Sequence, residues 1–243
     1  MRHFSLRASP GLELQRLPFR SVSAQNQAVN RALQQHVRPR LEAAGFEDFT
    51  ERKAWRRTGD LVEVVNFEAV GAYASFGVGC TPFSFSVRAG VRYADCPGSL
   101  GNSTAFMPRP DYPHCTFAIG LGKRLRQPQA FRPWGDGPPE DRADTWAVSE
   151  DTGNVDRVVE DAAETLLVTG MPLLAEFLAP ELAYAALLTR DSSECTYDTP
   201  GVWMPGAPGS PQWTETVRWL ATRLGRDAGD DLANAPVLRA PRL

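Results

Sequence analysis

Three histidines and four cysteines bound the nucleophilic and metal chemistry open to this chain. They are His3, His36 and His114, with Cys80, Cys96, Cys115 and Cys195. A Cys–His pair needs its two side chains within hydrogen-bond reach in space. His114 and Cys115 are adjacent, and neighbours on a strand point to opposite faces. They therefore read as a buried thiol beside a surface imidazole. No C-x-x-C, H-E-x-x-H, G-x-S-x-G or calcium-loop spacing occurs. Gly120-Leu-Gly-Lys-Arg124 lacks the spacing of a phosphate loop, and no helical pattern follows it. Glu63 with Glu68, or Asp60 with Glu68, could form an acid–base pair, but only in a pocket that raises one pKa. The expectation is no catalytic set, no metal site and no cofactor.

The remaining candidates lie on one hairpin and the strand after it. Residues 51–70, ERKAWRRTGDLVEVVNFEAV, carry Arg52, Lys53, Arg56 and Arg57 before the turn. Arg88 and Arg92 line the polar side of the later strand. A small polar or anionic ligand could be held by Arg57, Asn66, Glu68 and Arg88. Nucleic acid could bind the basic hairpin, yet the pI is near 5.7 and no RNP-like aromatic pattern is present. Cations on strand edges also guard sheets against aggregation. The arginines of the hairpin are expected to be solvated or paired with acidic helices downstream.

The elements that must position these residues follow from periodicity. Residues 22–44 predict a helix with Ser23 as N-cap, Pro39 as a kink or break, and Gly45 as terminator. Two strands meet at Thr58-Gly59, the second apolar on both faces. Residues 83–93 alternate, with Ser84, Ser86, Arg88, Gly90 and Arg92 on a polar side. Residues 115–120 form a short strand between long loops at 94–114 and 122–145. From Trp146 the pattern turns helical, with Asn154 capping and Gly170 ending the first helix. Pro172 and Pro180 open two more. Residues 198–212 read as a linker, a last helix spans about 210–225, and the remaining tail is frayed.

Helix, then strands, then helices is an α+β order: an antiparallel sheet of four or more strands, preceded by one helix and packed by C-terminal helices. The expected division is an extension at 1–21, a single domain at 22–197, and a linker with a helix at 198–243 that packs on that domain. No run approaches membrane-spanning length and the N-terminus lacks an apolar leader core, so a cytoplasmic protein with reduced thiols is expected. Arginine outnumbers lysine by 24 to 2, a skew of GC-rich bacterial genomes. The net charge of −3 conceals residues 134–198, with 3 basic and 15 acidic side chains. Such a segment either neutralises basic regions of its own chain or offers a basic partner one sign of surface.

In order, LEAAGF (41–46), KAWRRTGDLVEVVNFE (53–68), SFSVRAGV (84–91), HCTFAIGLG (114–122), DTWAV (144–148) and GMPLLAEFL (170–178) resemble the bacterial domain of unknown function 4304 family. The resemblance covers about residues 24–190 and implies fold and bacterial origin, with no activity attached. Where the family tends to carry amides, this chain has Glu68 and Arg88, so an ion pair is expected to replace a hydrogen-bonded pair. The leading expectation of function is a non-enzymatic protein-interaction module of immunity or antitoxin type, with a basic protein as partner. The alternatives are an enzyme or binding protein for a small polar or anionic ligand, and nucleic-acid binding.

Overall fold

The computed structural model describes residues 20–97, 107–126 and 141–234. Six strands form one antiparallel sheet in sequence order: β1 (Asp48–Phe49), β2 (Lys53–Thr58), β3 (Leu61–Ala69), β4 (Phe85–Tyr93), β5 (Phe117–Gly120) and β6 (Gly201–Trp203). Thr58 pairs with Leu61, which leaves Gly59-Asp60 as a two-residue turn. Gly59 has φ +61°, the left-handed conformation such a turn needs. β3 and β4 share nine paired positions, from Leu61–Tyr93 to Ala69–Phe85, and form the centre of the sheet. β6 lies in the stretch expected to be a linker. Three residues between Pro and Gly are too few to show alternation, yet they pair with Ala118–Gly120 of β5.

Eight α-helices accompany the sheet among the described residues: α1 (Arg20–Ala32), α2 (Arg38–Ala43), α3 (Gly71–Val78), α4 (Val155–Thr165), α5 (Met171–Leu178), α6 (Pro180–Thr189), α7 (Pro211–Arg223) and α8 (Gly229–Asn234). The helix before the sheet includes Arg20, so Ser23 lies inside it rather than at its N-cap. Residues 1–19 of the expected extension lie outside the described residues. Pro39 does not break the helix. A π-helical turn, Leu33–Val37, joins α1 to α2 immediately before Arg38-Pro39. The same device recurs at Leu166–Gly170, immediately before Met171-Pro172 of α5. A proline ring clashes with the carbonyl four residues back and cannot donate to it. Widening the preceding turn to i→i+5 bonds relieves that clash without ending the helix.

Gly170 consequently carries the helix onward. Asn154 makes no capping bond; its side chain accepts from Ser149 N–H and donates to the Ala147 carbonyl, fastening the loop before α4. Two other ends follow local rules. Gly45 (φ +88°) donates to Glu42 O, and Phe46 donates to Leu41 O, closing a Schellman motif with Phe46 buried. Ser210 caps α7 by accepting from Trp213 N–H at 3.3 Å, with Pro211 in the first turn. α8 forms in the tail expected to fray. No single described helix is long and apolar enough to cross a membrane.

The helices cover one face of the sheet. Phe85, Val87, Ala89, Val91 and Tyr93 of β4 join Phe117, Leu166, Leu174, Phe177 and Trp213 in the main core. Its buried polar tips are satisfied: Tyr93 donates to Phe177 O at 2.7 Å and Trp213 Nε1 to Leu187 O at 3.0 Å. On β4 the other side was expected to be polar, with β3 covered on both sides. Residues 107–116 cross that face as a strap, forming a small second core of Trp55, Val62, Val64 and Cys115. Arg92, on the side expected to be polar, is 1% exposed and donates to His114 O at 2.7 Å.

Two arginines fix the hairpin to the helices. Arg56 and Glu63 face each other across β2 and β3 in a forked pair, both contacts at 2.6 Å, and the Glu63 side chain is 1% exposed. Arg56 also donates to the Ala44 carbonyl at the end of α2 and lies over the Phe46 ring. Removing one partner strands a buried charge, whereas replacing both with apolar groups does not. Glu63→Ala is therefore expected to lower unfolding free energy by about 3 kcal/mol, and Arg56→Met with Glu63→Leu by clearly less. Urea denaturation of the three proteins checks this; a double variant as weak as the single would show that charge burial is not the cause.

At the turn, Asp60 accepts a fork from Arg223 of α7 at 2.5 and 2.9 Å. That hydrogen-bonded guanidinium holds the Asp60 carboxyl below its ordinary 3.8. A depressed folded-state pKa stabilises above the unfolded value, and that gain disappears as pH falls through the folded value. Asp60→Asn should thus cost stability at neutral pH, and its deficit relative to wild type should shrink as pH drops below 3.8, as followed by thermal melts.

Candidate functional site

Of the four residues expected at a ligand site, three come together. Asn66 and Arg88 are register partners on β3 and β4, and Glu68 lies two residues beyond Asn66 on the same face. Arg88 Nε is 3.1 Å from Glu68 Oε2, the expected ion pair. Arg57 is elsewhere. It faces Val62, about 13 Å along the strand from Asn66 at ordinary strand rise. There it donates to Asp48 at 3.1 Å and to Pro108 O at 2.5 Å. Arg109 also forks onto Asp48, and these two guanidiniums, Arg109 first, hold that carboxyl below its usual range.

The Arg88 guanidinium is held between two rings, 4.9 Å from the Tyr112 centroid and 5.1 Å from that of Trp203. Tyr112 arrives on the strap and Trp203 on β6, so elements far apart in sequence build the clamp. Gly120 makes room for it: a Cβ there would fall 2.5 Å from the Trp203 ring. Asp111 anchors the strap beside Asn66, accepting from Lys53 Nζ at 2.5 Å and from Asn66 Nδ2 at 3.5 Å. A cavity of about 300 Å³ opens next to Arg88, bounded by Ser86, Arg142, Asp144, Glu194, Cys195 and Trp203. Arg142 forks onto Asp144 at 2.9 and 2.7 Å. Both arginines of this cavity therefore already hold carboxylates.

Burial disfavours the thiolate at both cysteines near the strap and the cavity. Cys115 is fully buried, burial pushes its thiol far up, and the sulfur sits against Asp111 O at 3.7 Å. Cys195 borders the cavity, but burial raises its thiol as well. His36 faces Asp156 and Glu160 of α4 at 3.2 and 3.5 Å. Among the described residues no group of His, Cys, Asp and Glu could hold a metal ion.

Three of the four hairpin cations pair with carboxylates of the sheet and strap, neither solvated nor paired with the acidic helices as expected. Strand register delivers Glu63 to Arg56, while the adjoining β1 and strap deliver Asp48 to Arg57 and Asp111 to Lys53. The acidic helices find other cations: Arg124 meets Glu164 at 2.5 Å, and Arg190 meets Glu176 at 2.7 Å. Lys123, buried completely, meets Asp141 at 2.6 Å and the Thr145 carbonyl at 2.9 Å. The acidic segment is thus stitched to its own chain at many points.

One feature escaped sequence reasoning. α3, GAYASFGV, connects β3 to β4 and starts three residues after Glu68. It carries no charge, and Tyr73 is 97% exposed and Phe76 53% exposed. Its apolar residues follow no helical stripe, so periodicity gives no sign of it. The uncharged run from Ala69 to Cys80 was the available signal.

Arg88 should contribute to stability mainly through its rings. Surface-edge ion pairs are worth about 0–1 kcal/mol, whereas each cation–π contact adds about 0.5–1 kcal/mol or more when desolvated. Glu68→Ala is expected to cost under about 1 kcal/mol and Arg88→Ala about twice that or more. Reversing both charges should then rescue only part of the Arg88→Glu loss in urea titrations; full rescue would assign the effect to the ion pair. No family model, curated protein or solved structure matches this chain.

Proposed function

We propose that this protein is a non-enzymatic interaction module that docks a protein partner through α3. The observation that carries this reading is the exposure of Tyr73 and Phe76 on a helix without a charged side chain. Isolated exposed apolar residues are ordinary, but two aromatic rings three residues apart form one helical patch. Each ring would gain roughly 1.5–3 kcal/mol on burial, and Tyr is enriched at interface hot spots. The partner's matching feature is an apolar recess. Carboxylates of α4, with Asp156 70% and Glu160 55% exposed, favour approach by a basic protein even though His36 holds both. The cavity beside Arg88 supports a ligand less well, because its arginines are neutralised within the chain.

A photo-crosslinking residue at position 73, in cells of the native host, should give one discrete adduct that disappears on adding Phe76→Asp. The same residue at exposed Glu181 should not give that adduct. No adduct at 73, or the same adduct at 181, would overturn the reading; an adduct of twice the chain mass would replace it with self-association. Tyr73→Ser should leave unfolding free energy within about 0.5 kcal/mol of wild type, because that residue is 97% exposed.

A further inference from the structure

A second cavity, of about 420 Å³, lies on the helix side of the sheet between the α1–α2 helix and the β1–β2 edge. Its size falls within the range of about 300–1,000 Å³ usual for small-molecule sites. The floor is apolar: Leu33, Val37, Leu41, Ala54 and Phe67 line it and each is buried. The mouth is basic and amide-rich. Arg31, Arg38 and Arg52 line it with Gln27, Asn30, Gln34 and one acid, Glu51, while Arg38 is held from outside the lining by Glu42 at 2.8 Å.

Arg52 is the unusual group. Its Nε donates to Asn30 Oδ1 at 2.9 Å and its Nη2 to Asn26 Oδ1 at 3.1 Å. Two neutral amides thus orient the guanidinium from α1, and Glu51, the nearest acid in sequence, accepts from Asn30 at 2.6 Å. Nη1 is buried and makes no hydrogen bond. The other hairpin cations, Lys53, Arg56 and Arg57, each have a carboxylate within 3.1 Å. Burial disfavours the charged form and lowers the Arg52 pKa, offset only in part by the charge of Glu51. A buried donor left unsatisfied costs about 1–3 kcal/mol, more when charged, so this arrangement gains when an anion reaches it.

We infer that this cavity is a binding site for a small anionic amphiphile, an apolar chain ending in a carboxylate or phosphate. The head meets Arg52 at the mouth and the chain lies on Leu33, Val37 and Phe67. This site is separate from α3 and does not depend on the interaction reading.

The test is calorimetric titration of the full chain with monomeric decanoate, decyl phosphate, decanol and inorganic phosphate. Saturable one-to-one binding of decanoate or decyl phosphate is expected, with the tighter of the two naming the head group. Decanol and inorganic phosphate should each bind at least about tenfold more weakly, since each lacks half of the recognition. Arg52→Met should weaken the anionic amphiphile by about tenfold to a hundredfold, the worth of a charge-assisted hydrogen bond. Should that variant unfold, Gln34→Trp, at an exposed position on the rim, should block entry while preserving the circular-dichroism spectrum. Absence of saturable binding by both anionic amphiphiles would overturn the inference. So would binding unchanged in a folded Arg52→Met or Gln34→Trp variant, or decanol binding as tightly as decanoate.

Discussion

The structure depends on closing the second face of its central strands without a helix to do it. β3 is buried along seven of its nine residues, so both of its sides need cover. Helices supply one side. The other is closed by the strap at 107–116, whose own backbone must find partners as it crosses the sheet. The sheet supplies several: Trp55 Nε1 donates to Pro110 O at 2.8 Å, Arg92 donates to His114 O at 2.7 Å, and Lys53 holds Asp111 at 2.5 Å. Polar side chains at Lys53 and Arg92 thus work as the inner surface of a lid. The strap reaches Asn66 and Arg88 only through Asp111 and Tyr112, and a cavity remains beside Arg88.

How much was legible in the sequence tracks how local the determining chemistry is. The Gly59 turn, the Schellman end at Gly45-Phe46 and the Ser210 cap each depend on residues within a few positions. So does the two-sided burial of β3, because its own residues are apolar on both sides. Arg92 was misread because alternation reports polarity, not exposure, and the segment that covers Arg92 lies more than twenty residues away. β1 and β6 are too short to have a period, and only their neighbours make them strands. The prolines were read halfway. Pro39 and Pro172 announced a disturbed helix, but whether the chain kinks, stops or widens into a π turn is decided by packing on both sides of the proline.

The candidate site divided on the same line. Glu68, Asn66 and Arg88 share a strand face by simple parity, so their meeting was legible. Arg57 has the same parity, and what removes it is distance along the strand, together with Asp48 on an edge strand that sequence could not show. The rings that clamp Arg88 belong to the strap and β6, the two elements hardest to foresee.

Charge totals conceal how this chain uses arginine, which serves in several places as structural material. Arg56 lies over Phe46, Arg88 between Tyr112 and Trp203, and Arg223 beside Tyr93 and Trp219. A planar guanidinium can stack on a ring and fork onto a carboxylate at once, which lysine cannot. Arg56 and Arg223 do both, while Arg88 stacks and meets Glu68 through a single contact. Against such partners, an incompletely satisfied group carries more information than a net charge. Arg52 is oriented by two amides, and α3 presents Tyr73 at 97% and Phe76 at 53% exposure. Folding gains little from either arrangement, because an unmet donor and exposed aromatic surface both cost free energy or forgo it. The partner proposed for α3 and the ligand proposed for Arg52 would each supply a gain that folding does not.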